Sequence, residues 1–65
     1  MNDGYSNFIG KRVVIIQQTP SGNQRHQGLV TEVNGLHLFL SDEISNTDKI
    51  LLIQTIVSLT EVVGR

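Results

Sequence analysis

Apolar residues recur along this chain with a period of two rather than 3.6. In "GLHLFLSD", Leu36, Leu38 and Leu40 alternate with His37, Phe39 and Ser41, the pattern of a strand with one buried face. "KRVVIIQQ" (Lys11 to Gln18) is β-branched and apolar in its middle, and branched Cβ atoms pack well on a pleated surface. "RHQGLVTEV" reads as a second strand, with Gly28 inside it marking a sharp bend or a close backbone approach. "LHLFLS", "KILLIQ" and "IVSLTEVV" are the third, fourth and fifth strands. Turn chemistry separates them: Pro20 and Gly22 in "TPSGNQ", then Asn34-Gly35, then the polar loop "DEISNTD". Asn34-Gly35 predicts a two-residue type I′ hairpin turn, with positive φ at both central residues. Only Gln54-Thr55 stands between the last two strands, so the chain must turn or kink there. No helical stripe of useful length occurs, although a short helical turn is expected around Ser6 to Ile9, capped by Ser6 or Asn7. The expected class is all-β: five short antiparallel strands in a small open barrel, one domain over residues 1–65, with residues 1–7 frayed.

Two of these strands are apolar on both faces, at Val13 to Ile16 and at Ile50 to Ile53. A strand in a small barrel turns one face to the core, and the other should be polar unless something covers it. A 65-residue chain has little of its own with which to cover both. Strand addition from further copies is one solution. A strand bent so sharply that its halves face different parts of one core is the other. An obligate homo-oligomer is the expectation.

Composition narrows the chemistry. There is no cysteine, which excludes disulfides and thiolate metal sites. Two histidines and scattered carboxylates form no metal-ligand spacing, and no cofactor is expected. Asp42 and Glu43 are adjacent, so on a strand they point to opposite faces and cannot share a proton. No nucleophile elbow and no glycine-rich phosphate loop occurs, so an enzyme is not expected. Net charge is -1, from five basic and six acidic residues. That is a weak match to a phosphate backbone, which rewards clustered Lys and Arg. Only Lys11-Arg12 are adjacent, and ring symmetry could still multiply them into a patch. The polar start "MNDGYSNF" carries no signal peptide, and "ILLI", the longest apolar run, is far short of a membrane span. A cytoplasmic location without membrane attachment is expected.

The order of elements resembles the Sm-like family, which includes the Sm and LSm proteins and the RNA chaperone Hfq. The resemblance runs from about Phe8 to Val63. "FIGKRVVI" resembles the opening of the first Sm motif. "GLVTEVNGLHLFLSD" resembles its second half, where a bend glycine, here Gly28, precedes an apolar-rich strand, a turn and a strand ending in Asp. "ILLIQTIVSLTEV" resembles the second motif, with Ile56 and Leu59 at its apolar positions. Each motif is degenerate, and it is their combination in this order and length that carries the resemblance. It implies a strongly bent five-stranded antiparallel sheet that assembles into a homo-oligomeric ring of about five to seven subunits, strand four of one pairing with strand five of the next. It also implies binding of short single-stranded RNA at loops lining the pore.

The chain departs from the family pattern at its contact positions. Asn34, Gly35 and Leu36 stand where Hfq-like spacing has Asp, Gln and an aromatic residue. With one residue deleted, as in LSm-like spacing, His37 falls where a base-contacting Asn sits. Ile53-Gln54 stands nearest to the Lys-His pair, and Gln54 offers hydrogen bonds without charge. The expected RNA-binding residues are therefore Asn34, His37, Gln54 and Thr55, with His37 stacking on a base or bonding it through a ring nitrogen. Phe39, on the same face as His37, is either a base platform or a buried side chain. His26 is expected to play no special part. Two readings stay open: an RNA-binding chaperone or regulator, and a structural or protein-interaction ring that lacks an RNA site. A third, a monomeric SH3-like adaptor, conflicts with 5% aromatic residues, because such peptide grooves are aromatic-lined.

Overall fold

The computed structural model describes residues 3–63. A single helical turn, α1 (Asp3–Ser6), precedes β1 (Arg12–Thr19), β2 (Gly22–Asn34), β3 (His37–Asp42) and β4 (Thr47–Leu52). A 3-10 turn over Ile53–Thr55 then leads into β5 (Ile56–Glu61). The strands form one five-stranded sheet in the order β4-β3-β2-β1-β5, each neighbouring pair antiparallel. Among the described residues β4 pairs only with β3 and β5 only with β1, so the sheet is open at both edges. The all-β class, the five strands and a short N-terminal helical turn all match expectation.

β2 is the spine of the sheet. Its 13 residues pair with β1 from Gly22 to Leu29 and with β3 from Gly28 to Asn34, so the two ladders overlap only at Gly28 and Leu29. A Cβ on Gly28 would run into the carbonyl oxygen of Ser41 and come within 2.9 Å of Asp42 Cα. Glycine is required here for a close approach of two backbones, as read from the sequence. A bulge between Val30 and Glu32 re-aims the strand just beyond it.

The core is Val13 and Ile15 from β1, Val30 from β2, Leu38 and Leu40 from β3, Leu51 from β4 and Ile53 from the 3-10 turn. Alternation fixes that choice: the inward Leu38 and Leu40 bracket the outward, half-buried Phe39. Tyr5, Phe8, Val33, Ile56 and Leu59 pack around this cluster. Burying each aliphatic side chain is worth about 1.5–3 kcal/mol.

Several local expectations shift by a few residues. The hairpin turn is centred on Gly35-Leu36, because Asn34 pairs with His37. Gly35 has φ of 60°, whereas neither Asn34 nor Leu36 has positive φ. That is the sign pattern of a II′ turn, with glycine at its first central position, and not of type I′. The first hairpin closes over Pro20-Ser21 alone, since Thr19 already pairs with Gly22, so β2 starts earlier than its apolar pattern indicates. The helical turn also sits earlier, at Asp3–Ser6 rather than Ser6 to Ile9. Of the residues expected to fray, 1 and 2 lie outside the described residues, and Tyr5 is packed against the core. β1 is an interior strand, paired along both edges by β2 and β5; Val13 and Ile15 are buried on its inner face, and Val14 and Ile16 are half-buried on the other. β4 is an edge, with Ile50 61% and Leu52 40% exposed on its outer face.

Candidate functional site

The sheet brings the two halves of the expected site together. The β2–β3 hairpin tip lies against the end of β4: His37 pairs with Leu52, and the amide of Ile53 donates to the Leu36 carbonyl at 2.8 Å. Asn34 and His37 face each other across the hairpin, and Gln54 follows directly on the tethered Ile53. All three side chains are exposed. The surface they make carries amide and imidazole groups and no charged side chain of its own. It can hydrogen-bond a base edge or a peptide group and offer the imidazole as a small stacking face.

Thr55 is placed differently. Its hydroxyl donates to the Leu52 carbonyl at 2.6 Å and accepts from Gln17 Nε2 at 3.0 Å. The first bond closes the 3-10 turn and the second ties that turn to β1. Thr55 thus positions Gln54 and spends its own hydrogen-bonding groups inside the fold.

From Thr55 a chain of polar groups runs into the core. Gln17 Oε1 lies 2.9 Å from His26 Nε2, and His26 Nδ1 lies 3.7 Å from Asp42 Oδ2. Asp42 Oδ1 accepts the amides of Ile44 at 2.8 Å and Ser45 at 3.1 Å, and Lys49 Nζ reaches Oδ2 at 3.1 Å. His26 and Asp42 are 4% and 3% exposed. Burial pushes the Asp42 carboxyl up, but the Ser45 amide, Lys49 and the Ile44 amide hold its charged form more strongly, and it settles at about 2. The sequence gives no signal for this chain, because its members come from β1, β2, β3, β4 and the 3-10 turn and only the strand order assembles them. Read alone, His26 is an unremarked residue beside a bend; in the fold it is a buried group bonded to Gln17 through Nε2, with Nδ1 facing Asp42 and unpartnered.

Three of the four described Lys and Arg residues face acidic neighbours. Arg12 grips Glu43 through Nε at 2.7 Å and Nη2 at 2.9 Å, and that hydrogen bonding lowers the Glu43 carboxyl and raises the guanidinium. Lys11 Nζ is 3.8 Å from Glu61. Arg25 bonds Gln27 Oε1 at 3.3 Å and is the one described Lys or Arg outside an ion pair. Lys11-Arg12 therefore do not form a free basic patch.

No family model, no curated protein and no solved structure matches this chain. Among the described residues, no group of three or more His, Cys, Asp or Glu could hold a metal ion, and no helix is long and apolar enough to cross a membrane.

Proposed function

We propose that this chain is a ring-forming, Sm-like protein that binds short single-stranded RNA, weakly per subunit, through Asn34, His37 and Gln54. The carrying observation is the convergence of the hairpin tip and the 3-10 turn, sealed by the Ile53–Leu36 hydrogen bond, which brings together the two segments that carry three exposed polar residues. Thr55 belongs to the site as the residue that positions Gln54. The unpaired edges support assembly: Ile50 and Leu52 on β4, and Val57, 58% exposed on β5, leave apolar surface beside free strand edges. Docking β5 of one copy on β4 of the next would cover both and repeat the polar surface once per subunit. Repetition turns weak contacts into useful avidity, because linked nucleotides meet neighbouring subunits at high effective concentration.

One observation favours a second reading, a ring that scaffolds other proteins and lacks an RNA site. With Lys11, Arg12 and Lys49 in ion pairs, Arg25 is the one Lys or Arg among the described residues left for phosphates. Two measurements separate the readings. Light scattering at micromolar protein tests the ring, and a folded monomer removes both. Fluorescence anisotropy with U-rich, A-rich and C-rich oligomers tests the RNA site. Binding that is weakened by His37→Ala and changes little with salt supports the first reading. A ring that binds none of them at tens of micromolar protein leaves the second.

A further inference from the structure

We propose that His26 and Asp42 form a proton-operated latch in the core, which competes with Lys49 for a single carboxylate oxygen. The inference rests on the order of protons along the buried polar chain and stands whether or not the ring binds RNA. A carbonyl has no proton to give, so the Thr55 hydroxyl proton points at Leu52 O, 2.6 Å away. Thr55 Oγ1 must then accept from Gln17, which turns the Gln17 amide nitrogen toward it at 3.0 Å. That leaves Gln17 Oε1, a pure acceptor, 2.9 Å from His26 Nε2. The neutral imidazole must therefore carry its proton on Nε2. Nδ1 is left as a bare lone pair, buried and without a hydrogen-bond partner, 3.7 Å from Asp42 Oδ2.

A lone pair facing a carboxylate oxygen is an unfavourable contact, and one proton from solvent reverses its sign. Protonated on Nδ1, the ring becomes a charged donor aimed at Oδ2, and a small closing motion makes a charge-assisted hydrogen bond. Asp42 does not turn away, because Ile44 and Ser45 hold Oδ1. Before the proton arrives, Asp42 and Lys49 cancel; afterwards the cluster carries one positive charge in excess. The side chain of Lys49 is 35% exposed, so it is the member that can return to water. The other neighbours do not intervene. β1 presents uncharged Gln17, and the 3-10 turn presents uncharged Thr55. Glu43, beside Asp42, is held outside by Arg12, and Arg25, next to His26, is exposed against Gln27. Because Lys49 lies on the edge strand β4, the proton unties that strand's inward anchor and offers a free ammonium at the sheet edge.

The test uses the unmodified chain first. Nitrogen-15 NMR of the imidazoles at about pH 8 should place the His26 proton on Nε2 alone. At about pH 5.5 it should show both nitrogens protonated, with the Nδ1 proton protected from exchange. A proton on Nδ1 at the higher pH, or an uncharged His26 in the folded chain at the lower, overturns the proposal. Thermal melts of Lys49→Met supply the competition. Its deficit in Tm should be smaller at pH 5.5 than at pH 8 by about 4–8 °C, the change that one gained interaction brings in a chain this short. That difference should vanish when His26→Gln is added. Equal deficits at the two pH values, or a difference that survives His26→Gln, also overturn it. If Lys49→Met does not fold, the spectra of the unmodified chain decide.

Discussion

Gly28→Ala is the sharpest test of how this sheet is built. Gly28 is outside the left-handed region, so alanine there meets no backbone penalty and the whole effect must come from space. The added methyl would overlap Ser41 O and crowd Ser41 C at 2.8 Å and Asp42 Cα at 2.9 Å. These are backbone atoms of the paired strand and cannot swing aside as a side-chain tip would. Forcing one methyl into a packed site costs about 1–3 kcal/mol. Here the upper end applies, because moving Asp42 also disturbs its bonds to Ile44, Ser45 and Lys49. A domain of 65 residues has about 3–10 kcal/mol of stability in total. A loss of about 3 kcal/mol lowers Tm by about 12–24 °C. Circular dichroism melts of the two proteins under one buffer measure it. A Gly28→Ala protein that melts within about 3 °C of the unmodified chain would refute the close approach and the strand crossing built on it.

Other consequences are checked as simply. Asp42 contributes stability that is fully present above its ordinary value of 3.8 and is lost as pH falls through about 2, amounting to about 1–2 kcal/mol after discounting for nearby solvent. Urea melts from about pH 5 down to 2 should show a shallower decline in Asp42→Asn than in the unmodified chain. Thr55→Val leaves Leu52 O and Gln17 Nε2 without their partner and should cost about 1–3 kcal/mol in denaturant titrations. Gly35→Ala meets nothing within 4 Å, so its cost is the left-handed backbone alone, about 1–2 kcal/mol, and unchanged stability would relocate the turn. Leu52→Lys with Val57→Lys should dissociate the proposed ring while leaving a folded subunit, read by light scattering together with circular dichroism; a ring that survives the pair places the subunit contact elsewhere.

The class of fold was legible in the residues because its signals are local. Alternating Leu38 and Leu40, the β-branched run at Val13 to Ile16 and the punctuation at Pro20 and Gly35 act over a few residues, and strands obey them. Gly28 was legible for the same reason: within a strand pattern, a missing side chain has few other uses. Turn registers slipped by a residue, since Asn34 can serve as the first turn residue or the last paired one and cross-strand pairing with His37 decides. The exposed members of the candidate site, Asn34, His37 and Gln54, could be named in advance, but not that the hairpin tip and the 3-10 turn touch through Ile53 and Leu36. The role of Thr55 and the chain from Gln17 through His26 to Asp42 and Lys49 belonged wholly to tertiary structure. Its decisive links, Gln17 to Thr55 and His26 to Asp42, join different elements of the fold, and a single side chain carries no mark of the partner that a strand order will bring to it.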